Sequence, residues 1–305
     1  MSVFGGIDIG GTLVKALLLD DSGERIHFFS FEFPEASSRA ESILAIEDRI
    51  LSEWEGEGVL PDGFCFAIPG IVSPRSGRVL HCPNIPGWKD FDFISSLSRI
   101  IHEKVIVEND ANAGAYGEYA SGSGKGLESF VYVSLGTGVG GGVVLDGELY
   151  RGAFGRAGEI GHIPLDVDGG ECGCGGKGHL EVFSGAIGIL RSARKELPGG
   201  FGGDMEDLSS MAEGGDERAL GIYTVAGKYL GRGFAAIINI LDVEAIIIGG
   251  GLSRALPYMI GGIREMIDFH TFGVPPGEVH ILAGSNREKS GAVGAAHLAM
   301  KAFQR

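Results

Sequence analysis

Four residues with soft or borderline donor atoms fall inside one glycine-rich stretch, G-H-I-P-L-D-V-D-G-G-E-C-G-C-G-G-K-G-H-L-E at 161–181. His162, Cys172, Cys174 and His179 supply the tetrahedral N/S set that zinc takes, and a closed four-ligand site is usually structural. The competing reading is a surface loop with two incidental cysteines, since this spacing is not one of the common zinc patterns. A second candidate is Asn109-Asp110, which closes a short strand and opens a helix. A carboxylate there can accept a proton from a hydroxyl while the oxygen attacks a phosphoryl group. Asp is also a favoured N-cap, so Asp110 could simply cap a helix beginning at Ala111. Asn84, Glu159, His162 and Glu181 are the donor and acceptor types that a polyol needs. His162 can serve twice, one ring nitrogen on metal and the other toward ligand.

Two glycine turns could hold phosphates. Gly10-Gly11-Thr12 and Gly136-Thr137-Gly138 each join two apolar strands. Missing β-carbons allow close backbone approach, successive N–H groups bind anions, and the threonines add hydroxyl donors. The plainer alternative is two tight hairpins. Asp8, just before the first turn, could hold magnesium, as hard cations prefer carboxylate oxygen. Gly249-Gly250-Gly251 follows an apolar strand and could let an adenosine lie against backbone. The run from Gly136 to Gly141 satisfies G-x-G-x-x-G, but it leads into a strand instead of a helix, so a dinucleotide fold is excluded.

These residues need a scaffold, and the pattern is α/β. Strands are expected within 3–20, at 27–33, 64–69 and 105–107, with a hairpin over 71–80. Helices are expected at 40–55, 111–119, 186–197, 216–239, 256–269 and 291–302. The segment F-V-Y-V-S-L-G-T-G-V-G-G-G-V-V-L-D from Phe130 echoes F-G-G-I-D-I-G-G-T-L-V-K-A-L-L-L-D from Phe4. Aligned without a gap, Gly10 meets Gly136 and Leu19 meets Leu145. The echo implies two related domains, each presenting a glycine hairpin to a shared cleft.

Composition bounds the function. With 305 residues and 44% hydrophobic content, the chain has room for two cores. The 54 glycines cluster in short runs, which excludes collagen-like and linker readings. A net charge of −15 with no basic stripe argues against a nucleic-acid surface. The N-terminus shows no leader pattern, and the longest apolar stretch, 234–248, is broken by Asn239, Asp242 and Glu244, so no membrane span is expected. Cysteine usage suits a reducing, cytoplasmic setting.

Taken together, D-I-G-G-T at 8–12, E-N-D-A-N-A at 108–113, L-G-T-G-V-G-G-G at 135–142, E-I-G-H at 159–162, C-G-C-G-G-K-G-H-L-E at 172–181 and I-I-G-G-G-L-S at 247–253 resemble the ROK family of sugar kinases and repressors, in its glucokinase-like branch. The resemblance spans essentially the whole chain. It implies a two-domain actin-like (ribonuclease H-like) ATPase fold with a duplicated glycine-hairpin core and an interdomain cleft. The domains would be 1–115 with the final helix at 290–305, and 116–289 with the zinc loop.

The same resemblance implies transfer of the γ-phosphoryl of MgATP to the 6-hydroxyl of glucose or a related hexose, with Asp110 as general base. Asn84, Asn109, Asp110, Glu159, His162 and Glu181 would hold the sugar. Gly10, Gly11, Thr12, Gly136, Thr137, Gly138, Gly249, Gly250 and Gly251 would hold ATP. Zinc and magnesium are the implied metals, and a homodimer or tetramer the implied assembly. One departure stands out: the family loop ends C-x-C-G-x-x-G-C-x-E, and His179 replaces its third cysteine.

Rival readings are a ROK-type sugar sensor without catalysis and a kinase for an N-acetylhexosamine, mannose or fructose. A repressor would carry an added N-terminal DNA-binding domain, for which the position of Asp8 leaves no room. Sequence does not choose the hexose, nor ATP over polyphosphate.

Overall fold

The structure, a computed structural model, describes residues 2–73, 75–100, 102–197 and 199–304. In chain order come β1 (Val3–Ile9), β2 (Leu13–Asp20), β3 (Arg25–Glu32), α1 (Arg39–Gly56), β4 (Gly63–Ile68), β5 (Ile71–Ser73), β6 (Arg78–His81), β7 (Lys89–Asp92), β8 (Val105–Asn109) and α2 (Asp110–Ser121). Then follow β9 (Phe130–Leu135), β10 (Val139–Leu145), β11 (Glu148–Tyr150), α3 (Leu180–Ser184), α4 (Ala186–Glu196), α5 (Met205–Glu213), α6 (Glu217–Leu241), β12 (Ala245–Gly249), α7 (Leu256–His270), β13 (His280–Ala283) and α8 (Ser290–Phe303). Two compact units divide the chain. The first comprises Met1–Lys125, Leu149–Ala157 and Glu288–Arg305; the second comprises Gly126–Glu148 and Gly158–Arg287.

The first unit is built on a sheet of order β3-β2-β1-β4-β8. Strand alternation assigns its two faces. Val14, Ala16 and Leu18 of β2 join Ile43, Ile46, Ile50 and Trp54 of α1 in one core, while Leu17 and Leu19 pack against Ala292, Val293 and Ala296 of α8. Helix α1 starts where the Ser38 side chain accepts from the Glu41 amide, an N-cap. Close approach of α8 to β1 depends on Gly6, where a β-carbon would come within 2.2 Å of the Ala292 carbonyl oxygen.

The second unit repeats the plan with the order β11-β10-β9-β12-β13. In both sheets the first hairpin is antiparallel and the next strand joins it in parallel. Val131, Val133 and Leu135 of β9 and Ile246 and Ile248 of β12 bury one face against α6 and α7. Ala219, Ile222, Tyr223, Ala226, Leu230, Phe234 and Ile237 of α6 recur at helical spacing along that contact. Each fully buried Ile, Leu or Phe in such a core contributes roughly 1.5–3 kcal/mol.

The expected internal echo holds in topology, but its gapless alignment does not. Phe4 pairs with Leu19, whereas Phe130 pairs with Val144, one residue earlier than Leu145. The second turn is therefore one residue tighter, so Val14 corresponds to Val139 and Leu18 to Val143. Side-chain alternation forces this, because a slip of one residue sends every side chain to the opposite face. Several elements went unanticipated, among them the short strands β7 and β11 and the one-turn helix α3. Helix α5 is short and opens on an Asp204–Asp207 capping box in place of the familiar Ser/Thr–Glu pair. Strand β13 is a partly exposed edge of four residues.

Candidate active site

Strand β8 ends at Asn109, and α2 begins at Asp110. Capping falls to Asn109: its Oδ1 accepts the Asn112 amide at 2.9 Å, and its Nδ2 donates to the Gly70 carbonyl at 2.8 Å. Asp110 thus occupies the first helical position, where its Oδ1 accepts from the Ala111 amide (2.9 Å) and from Asn109 Nδ2 (3.0 Å). Beneath this pair lies Glu108, which is 1% exposed. One of its oxygens accepts from the Asn109 amide and from Asn112 Nδ2; the other accepts from Arg151 Nε at 2.6 Å. Glu108 and Arg151 escaped the sequence reading. The only signal was an acidic residue in an otherwise apolar strand, which demands a buried partner.

Asp8, near the end of β1, belongs to the same unit. Burial pushes its carboxyl up to about 7, the Lys15 ammonium 3.9 Å away pulls it back, and the charge of Asp110 raises it again. Hard oxygen donors in a desolvated pocket suit a divalent cation, which removes the cost of keeping the carboxylate charged. Asn84 is exposed in the turn between β6 and β7, and its carbonyl oxygen abuts Gly11 of the first glycine turn. That turn is closed by the Gly10 amide donating to the Leu13 carbonyl at 2.9 Å.

In the second unit, His162, Cys172, Cys174 and His179 converge, with one donor atom from each lying within 4.8 Å of all the others. Cys172 Sγ is 3.7 Å from His162 Nδ1, and Cys174 Sγ is 3.3 Å from His179 Nδ1. Zinc bond lengths of about 2.3 Å to sulfur and about 2.0–2.1 Å to nitrogen set tetrahedral S···N neighbours about 3.5 Å apart. The four residues fit such an ion, and histidine in place of the third cysteine does not spoil the spacing. Burial pushes the Cys172 thiol up to about 12, and the thiol donates to Glu181 Oε1 at 2.8 Å. All four cysteines are free thiols.

His162 links the Cys/His cluster to two carboxylates, Glu159 and Glu181. Its Nδ1 lies toward Cys172 and Glu181, and its Nε2 is 3.9 Å from Glu159 Oε2. Burial raises the Glu159 carboxyl, His162 pulls it back and Glu181 adds to the rise. The E-I-G-H segment reaches this position because Gly161 lies against the Val139 carbonyl, where a β-carbon would be 2.0 Å from the oxygen. Around the second glycine turn, the Gly136 amide donates to the Gly138 carbonyl and the Ala186 amide to the Gly136 carbonyl, each at 3.0 Å. Gly249 ends β12, and Gly250 and Gly251 follow it, with Gly250 at φ 82° and the Ser253 hydroxyl donating to its carbonyl. Each unit thus gathers its own share of the predicted residues.

A ROK family profile matches residues 4–302. The chain is 34% identical over 289 residues to a glucokinase of Halalkalibacterium halodurans, covering 88% of this chain and 86% of that one. It is 32% identical over 305 residues to a glucokinase of Thermotoga maritima, covering 96% of both. Among solved structures, a ROK family glucokinase from Streptomyces griseus in complex with glucose and AMPPNP superposes with a TM-score of 0.83 at 30% identity, over 98% of this chain and 100% of that one. The chain belongs to the ROK family, within its glucokinase-like sugar kinases, and has the actin-like ATPase fold. No helix among the described residues is long and apolar enough to cross a membrane.

Proposed function

We propose that the protein transfers the γ-phosphoryl group of MgATP to the 6-hydroxyl of glucose, with Asp110 as general base. The observation that carries this reading is the division of labour at the head of α2. Asn109 performs the capping, so helix capping does not account for the Asp110 carboxylate. Asp110 would take the hydroxyl proton as the sugar oxygen attacks phosphorus. Asn84, Asn109, Glu159, His162 and Glu181 would orient the sugar. The turns at Gly10–Thr12 and Gly136–Gly138 would donate backbone N–H groups to the phosphates, and Gly249–Gly251 would meet the nucleoside. Magnesium, when bound, neutralises developing phosphate charge, and Asp8 would hold it through water. Zinc held by His162, Cys172, Cys174 and His179 would fix the orientation of His162 and Glu181.

The reading extends to a reducing setting, the cytoplasm, which the free thiols support, and to a homodimer, which sizing in solution would test. Its test is a coupled ADP-release assay on zinc-loaded protein with glucose, mannose, fructose and N-acetylhexosamines, and with polyphosphate as alternative donor. Glucose with ATP is expected to turn over best. Folded, zinc-loaded protein that turns over no sugar would overturn the kinase reading in favour of a sensor.

A further inference from the structure

One short helix joins the four-residue metal cluster to the second glycine turn, entirely within the second unit. His179 is both a member of the cluster and the N-cap residue of α3, its carbonyl accepting the Val182 amide at 3.0 Å. The helix is pinned along its length. Leu180 is fully buried beside Gly233, and the Ser184 hydroxyl donates to the Ala226 carbonyl at 2.9 Å. Its far end meets the turn: the Ala186 amide donates to the Gly136 carbonyl, and a β-carbon on Gly185 would sit 2.9 Å from the Thr137 carbonyl oxygen. Glu181 adds a second link. One carboxylate oxygen accepts from Cys172, and the other lies where a β-carbon on Gly138 would come within 2.6 Å.

We propose that α3 and Glu181 form a strut carrying the state of the metal site to the glycine turn at 136–138, so that metal occupancy sets nucleotide affinity with no sugar present. Through it the metal serves both substrates, where a loop ornament would serve neither. This rests on the reading above that the turn holds ATP phosphates and the cluster holds zinc. Rigid packing would transmit the change, because a cluster without metal loses its hold on His179 and with it one anchor of the start of α3.

The test is calorimetric titration of the magnesium complex of a non-hydrolysable ATP analogue into zinc-loaded and zinc-stripped protein, without sugar. Stripping should weaken binding at least tenfold, and added zinc should restore it. Equal affinity in the two forms overturns the strut but leaves the ATP reading standing, whereas no binding to the loaded form overturns both. Should stripping unfold the second unit, Gly138→Ala in zinc-loaded protein tests the link in the opposite direction, since coupling is reciprocal. The new methyl displaces the Glu181 carboxylate from the turn, so zinc affinity, read by competition with a chelator, should fall several-fold; unchanged zinc affinity would sink the proposal.

Discussion

In the first sheet the β1–β2 hairpin sets Asp8 across from Lys15, whereas the matching hairpin β9–β10 sets Ser134 across from Gly140. The difference recurs at the neighbouring strand end. Phe64 pairs with Val105 and Ile246 with Ile281, so extending the second register past Ala283 places Ser285 and Asn286 where the first has Asn109 and Asp110. One copy of the fold thus carries two carboxylates at these positions, and the other carries a hydroxyl and an amide. Duplicated topology supplies two glycine turns, but the two carboxylates sit in one half. The second half has instead the Cys/His cluster, a feature of its own loop with no counterpart among the described residues of the first.

The sharpest way to break this asymmetry is Asp110→Asn, which gives the first copy the amide of the second. Turnover should drop by about 10²–10⁴-fold in the coupled assay while glucose affinity changes little. Near-normal turnover would remove Asp110 from the role of base. Next in size is Asp8→Ser, again copying the second sheet. Phosphoryl transfer should fall about 10²-fold, yet the protein should gain about 2 kcal/mol in a thermal melt above neutral pH. The sign follows from a folded-state carboxyl raised from 3.8 to about 7: its burial costs stability as pH rises through that window, and the gain should vanish near pH 4.

Cys172→Ala tests the feature peculiar to the second half. Metal content should fall to near zero and glucose affinity about tenfold, read by metal analysis and calorimetry on the same sample. Full affinity in the metal-free variant would refute the coupling through His162 and Glu181.

The smallest effect concerns His297 of α8, buried with Nε2 unpartnered among the described residues and held below its usual range by desolvation. Its neutral form is fully compatible with the fold above pH 6.5, and stability is lost as pH falls from there toward the lowered folded value. Hydrogen exchange should therefore show acid sensitivity in the first unit, and His297→Leu should flatten it.

Much of this was legible because it is local. The cluster ligands lie in one loop, the glycine turns are contiguous, and the long helices α6 and α7 carry apolar residues at helical spacing. What escaped is non-local or depends on register. Arg151 reaches Glu108 across 43 positions, and nothing in its own neighbourhood points there. The one-residue tightening of the second hairpin is invisible to alignment because glycine-rich strands carry little alternation with which to fix a register. That Asn109, and not Asp110, caps α2 could not be read from composition, since both residue types cap equally well.

The placement of α8 has a consequence in time. Gly6 of β1 packs on Ala292 and Ala296, so the first sheet lacks one of its covering layers until residues beyond 290 have been made. At about 5–20 residues per second, a ribosome leaves β1 waiting roughly 15–60 s for that partner. During this interval the second unit, whose strands and helices end before Arg287, can complete its own core. The half of the molecule synthesised first is thereby the last to close, and Leu17 and Leu19 stay exposed to chaperones longest.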